Sequence, residues 1–116
     1  MDLNDYAKQS RQDNDKWWRD PSSGVYIPRN KGLLIALMHS ELSECLEGIR
    51  KNKMDEHLPH RHSEEVELAD LLIRVFDYSG EYKLDIEGAY QDKRAFNAVR
   101  EDHTFEARNK PDGKKW

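Results

Sequence analysis

The sequence predicts an all-α protein, a four-helix bundle whose core is completed by oligomerisation. Three observations carry that expectation. Apolar residues recur at helical spacing in successive stretches separated by turn-forming residues. No stretch carries a convincing strand pattern. Hydrophobic residues make up only 36% of the 116, against roughly 45–50% in a typical soluble domain. A core drawn from so few residues is small, and sharing it with a second subunit is one remedy.

The length suits a single domain spanning 1–116. Residues 4–18 form a first helix, with Asn4 as its cap and Leu3, Tyr6, Ala7, Ser10, Asn14 and Trp17 at helical spacing. Asp20 to Asn30 holds Pro21, Pro28 and Gly24, and is a loop. A second helix runs from Asn30 to about Lys51. The connector KNKMDEHLPHRH leads to a third, capped by Ser63 with Glu64 and Glu65 in its first turn. It continues to about Ser79, and Gly80 is a natural stop. Asp85 caps a fourth helix over 86–101. Residues 102–116, with Pro111-Asp112-Gly113, are expected to be an extended polar tail.

The formal net charge of −4 gives no electrostatic case for binding nucleic acid, which needs a basic surface. No apolar run approaches the ~20 residues of a membrane span, so no membrane partner is expected. Cys45 is the one cysteine, and MDLNDYAKQS lacks the basic and apolar regions of a signal peptide. A cytoplasmic protein is the expectation.

The informative irregularity lies in the second helix. On a wheel of about 100° per residue, Glu41 falls among Leu34, Met38, Cys45 and Leu42. Glu44 lands at the edge of that apolar stripe, whereas Glu47 falls among serines and reads as solvated. In the third helix Glu67, Asp70, Arg74 and Asp77 form one narrow polar strip. Leucine, isoleucine, valine and phenylalanine fill most of the remaining circumference, the pattern of a buried helix. An unpaired buried carboxylate is costly. Acids one turn apart on two facing helices make an oxygen-rich cluster of the kind that hard divalent cations choose. The competing reading is a structural network with Arg74, Lys93 or Arg100.

The arrangement Glu41-Leu-Ser-Glu44 followed by Glu67-Leu-Ala-Asp70 resembles the MazG-like all-α nucleoside triphosphate pyrophosphohydrolases. Pro28-Arg-Asn-Lys-Gly-Leu-Leu-Ile-Ala-Leu37, Leu84-Asp-Ile-Glu and Lys93-Arg-Ala-Phe-Asn97-Ala-Val-Arg100 agree with it. The resemblance covers about 28–101 and is nearest to the short phage-type MazG proteins, which would put a phage-encoded copy in the host cytoplasm. It implies a nucleoside triphosphate substrate split to monophosphate and pyrophosphate, and a homodimer or homotetramer. It also implies Mg²⁺, with Mn²⁺ as a substitute, held by Glu41, Glu44, Glu67 and Asp70. One of these carboxylates, Glu44 being the candidate, orients or deprotonates water. Lys93, Asn97 and Arg100 would contact the triphosphate, their i, i+4, i+7 spacing placing them on one helix face.

Arg74 is either a further phosphate contact or a salt bridge holding Asp70, and the salt bridge is preferred. Asp77 is an outer acid or a cap on Arg74. Trp17 and Trp18 offer stacking faces for a base, although packing is the commoner role of such residues. His57, His60 and His62 lack a cysteine partner for zinc and read as a solvated connector. Two other function classes compete with the pyrophosphohydrolase. A di-iron bundle would need Glu-x-x-His pairs, which are absent from the sequence. A non-catalytic helical interaction module would keep the fold without needing the acids. Within the enzyme class, a signalling or modified nucleotide is an alternative substrate.

Overall fold

The computed structural model describes all of residues 1–116 and is helical, without strands. Five α-helices occur: α1 (Leu3–Asp13), α2 (Lys31–Lys51), α3 (Ser63–Glu81), α4 (Ile86–Val99) and α5 (Phe105–Asn109). Short 3-10 turns cover Asp15–Trp18 and Glu101–His103. The chain forms two compact units, 1–84 and 85–116.

In the first unit, α2 and α3 form an antiparallel hairpin. Gly48 lies against Ser63 at the connector end, and Glu41 reaches Arg74 further along. Asn30 caps α2 by accepting from Leu33 N–H, and Asn52 ends it in the left-handed region (φ 49°, ψ 49°), which asparagine tolerates. The connector is held by a bridge between Met54 and His62, and its three histidines are exposed.

α1 lies along the C-terminal half of α3, where Tyr6 stacks on Phe76 with ring centroids 5.6 Å apart. The cap of this helix falls two residues earlier than expected. Asp2 rather than Asn4 is its cap, because Asp2 and Asp5 form a reciprocal capping box. It also ends earlier, at Asp13, and the two tryptophans follow on the 3-10 turn.

Gly80 does not stop α3, which continues to Glu81. Its missing side chain serves packing instead. A Cβ there would lie 2.5 Å from the Ala7 carbonyl oxygen and 2.8 Å from Arg11 Cβ, so only glycine lets α1 approach this closely.

The core of the single chain is small: Ala7, Trp18, Leu34 and Cys45 are its buried apolar residues. The expectation that α3 is buried all round is corrected, since Leu68, Leu72 and Ile73 are exposed. On α2, Leu33, Leu42, Leu46 and Ile49 are exposed as well. Two helices and a short α1 do not supply enough surface to cover both apolar faces.

In the second unit, Asp85 caps α4 by accepting from Gly88 N–H. The segment 102–116 is not the extended tail expected from its composition. Thr104 Oγ1 accepts from Ala107 N–H and starts α5. The Arg108 guanidinium then donates to the Lys114 and Lys115 carbonyls, folding the end back on that helix. The count of helices is therefore five rather than four.

Candidate metal centre and adjoining cleft

The helical wheel placed Glu41 inside the α2 stripe, and it is 6% exposed. Across the hairpin it meets α3, where one carboxylate oxygen from each of Glu41, Glu67 and Asp70 lies within 4.8 Å of the others. Glu41 is buried and Asp70 is the most exposed of the three. Glu44, one turn after Glu41, is exposed and stands near enough to Glu67 to act on its carboxyl. Glu47 stands apart, paired with Arg50 at 3.0 Å and Lys51 at 2.8 Å.

The protein offers these acids few donors. Glu67 Oε2 is buried with no hydrogen-bond partner. Burial first, then the facing Glu41 and Glu44 carboxylates, push the Glu67 carboxyl up to about 8. Burial and the charge of Glu41 raise Asp70 too, with Arg74 opposing them. Orphaned carboxylate oxygen, an all-oxygen donor set and mutual repulsion together fit a hard divalent cation.

Arg74 is the one cation bonded to the cluster. Its Nε–H donates to Glu41 Oε1 at 2.8 Å. The salt bridge expected for Arg74 therefore exists, but with Glu41 on the facing helix in place of Asp70 on its own. Cross-helix packing brings Glu41 to Arg74, and no periodicity within α3 reports that.

A cleft of about 430 Å³ adjoins the acids. Glu41, Asp70 and Arg74 line it toward the cluster, and Leu37 and Ile73 form its apolar wall. Asn14, Trp17, Arg29 and Asp77 complete it.

The two tryptophans separate sharply in role. Trp18 is 0% exposed, and its Nε1–H donates to both Asp77 oxygens at 3.2 Å. Guanidiniums of Arg11 and Arg29 lie 5.2 and 5.4 Å from its ring centroid. Trp17 is 64% exposed and lines the cleft. Trp18 is thus a packing residue, and only Trp17 keeps a face available for stacking. Asp77 neither caps Arg74 nor joins the acid trio. Its carboxyl is raised by burial, with the Trp18 N–H and the nearby Arg11 and Arg29 charges pulling it back.

Lys93, Asn97 and Arg100 belong to the second unit. Lys93 and Asn97 are on α4, with the Lys93 ammonium 5.0 Å from the Phe96 ring centroid. Asn97 Oδ1 is buried without a partner. Arg100 falls just beyond the helix, in an extended conformation, so the expected face of three ends at two. Its guanidinium forks onto Asp102 at 2.9 and 2.7 Å.

Sequence reading missed Asn14 and Arg29 as cleft residues. By spacing alone, Asn14 is part of a helix face and Arg29 part of a motif. Both sit at segment ends, where no periodicity reports direction. The chain matches no family model, and no curated protein or solved structure is significantly similar to it.

Proposed function

We propose that this chain is a Mg²⁺-dependent nucleoside triphosphate pyrophosphohydrolase of MazG-like type, converting a (deoxy)nucleoside triphosphate and water to the monophosphate and pyrophosphate. The observation that carries this reading is the convergence of Glu41, Glu67 and Asp70 within 4.8 Å beside a cleft. The donorless Glu67 Oε2 makes the trio a poor structural network.

Glu41, Glu67 and Asp70 would hold Mg²⁺ or Mn²⁺, with Glu44 beside them. When bound, the cation offsets phosphate charge and acts as a Lewis acid. Glu44, exposed at the edge of the trio, orients the attacking water and takes its proton on a carboxylate oxygen. Arg74 holds Glu41 in place and, with Arg29, gives the cleft cationic groups to balance charge on the departing pyrophosphate. The exposed leucines of α2 and α3 support completion of the bundle by a second copy, as a homodimer or homotetramer.

Incubation with each NTP and dNTP plus Mg²⁺ tests the reading. Monophosphate and pyrophosphate in equal amounts support it. Orthophosphate without pyrophosphate, or no turnover of any nucleotide, overturns it.

A further inference from the structure

Asp77 is a buried acid that the reaction above does not use. It is 8% exposed, and the Trp18 N–H is its one hydrogen-bond donor. A carboxylate has about four acceptor sites, so Asp77 retains acceptor capacity on the cleft it lines. Its charge is tolerable there because Arg11 and Arg29 flank the Trp18 ring.

Asn14 lines the same cleft with its orientation already set. Its amide nitrogen donates to the Ser10 carbonyl at 2.8 Å, which leaves Oδ1 as an acceptor. This region thus offers two acceptors next to an exposed indole, Trp17. Along α3, Asp70, Arg74 and Asp77 occupy successive turns. Asp77 therefore stands about 10 Å along the axis from Asp70, at 1.5 Å per residue. That separation is comparable to the reach of a nucleoside, with Leu37 and Ile73 between the two ends.

Resting on the pyrophosphohydrolase reading, we propose that Asp77 and Asn14 recognise the base. They accept hydrogen bonds from the exocyclic amino group of a base stacked on Trp17. The cleft then selects amino-bearing bases over uracil and thymine. Cytosine and uracil make the sharpest comparison, because an amino donor on one is replaced by a carbonyl acceptor on the other. A carbonyl facing a buried carboxylate leaves both acceptors unsatisfied. At about 1–3 kcal/mol for such a mismatch, discrimination should be roughly ten- to hundredfold.

The test is calorimetric binding of the non-hydrolysable α,β-methylene analogues of dCTP and dUTP in Mg²⁺. Wild type should bind the cytosine analogue at least about tenfold more tightly. Asp77→Asn should abolish or invert that ratio, since its amide can accept from Trp18 and donate to a carbonyl. Asn14→Ala should lower the preference by a smaller factor, and it supplies the answer if Asp77→Asn does not fold. Equal binding of both analogues by wild type overturns the proposal and leaves the triphosphate reading intact. An unchanged ratio in both variants overturns it in the same way. Failure of both analogues to bind, together with no hydrolysis of any nucleotide, overturns both.

Discussion

Arg74 on α3 donates its Nε–H to Glu41 on α2 at 2.8 Å, joining the two helices at the point where the acids converge. The guanidinium is the only cation bonded to a trio of carboxylates, and Glu41 is the most buried of them. This pair explains how a carboxylate persists in the apolar stripe of α2. It leaves Glu67 uncompensated.

Arg74→Met should therefore destabilise the metal-free protein by about 1–3 kcal/mol, the usual cost of losing a charged hydrogen bond and stranding its partner. Saturating Mg²⁺ should recover part of the loss. Urea denaturation with EDTA and with Mg²⁺ measures both.

Glu41→Gln should lower Mg²⁺-dependent turnover by about a hundredfold or more, as expected when a group acting through charge is neutralised. Its melting temperature in EDTA should fall below that of wild type, because the charged hydrogen bond from Arg74 is lost. The rise in melting temperature that Mg²⁺ gives the wild type should shrink, as linkage requires when affinity falls. A variant that keeps full turnover would show that the acids are structural.

Glu67 sets a pH dependence whose sign is definite. Its folded carboxyl sits at about 8 against an ordinary 4.5, so the folded metal-free protein binds the extra proton more tightly than the unfolded chain. The stability this contributes is fully present below about 4.5 and is lost as pH rises through about 8. Melting curves in EDTA should accordingly fall across that window. With Mg²⁺ the decline should flatten, and cation binding near pH 7 should release protons, which calorimetry in buffers of different ionisation enthalpy detects.

Gly80→Ala should cost about 1–3 kcal/mol, the range for overpacking, because the new Cβ would meet the Ala7 carbonyl at 2.5 Å. Chemical denaturation measures the loss. If Gly80→Ala instead stabilised the protein, as an exposed helical Gly→Ala change does by up to about 1 kcal/mol, α1 would not be packed on α3 as described.

Local signals marked most of the fold and half of the site. Helical periodicity located α2 and α3 within a residue or two, since each repeats apolar positions through five turns. The same periodicity singled out Glu41, because a carboxylate inside an apolar stripe is visible on a wheel. The capping of α1 by Asp2 and of α5 by Thr104 was missed because both are side-chain hydrogen bonds to backbone, chosen among several polar candidates. The spacing places Arg100 on a helix face that ends one residue before it.

The sequence by itself determined that the chain is helical and that Glu41, Glu67 and Asp70 occupy the anomalous positions on their helices. Only the tertiary structure decided that Arg74 pairs with Glu41, that Trp18 is buried while Trp17 is exposed, and that Asp77 binds Trp18. The physical reason is range. Periodicity is set by neighbours three and four residues apart and is written along the chain. Partners 33 and 59 residues apart meet only after the helices have packed.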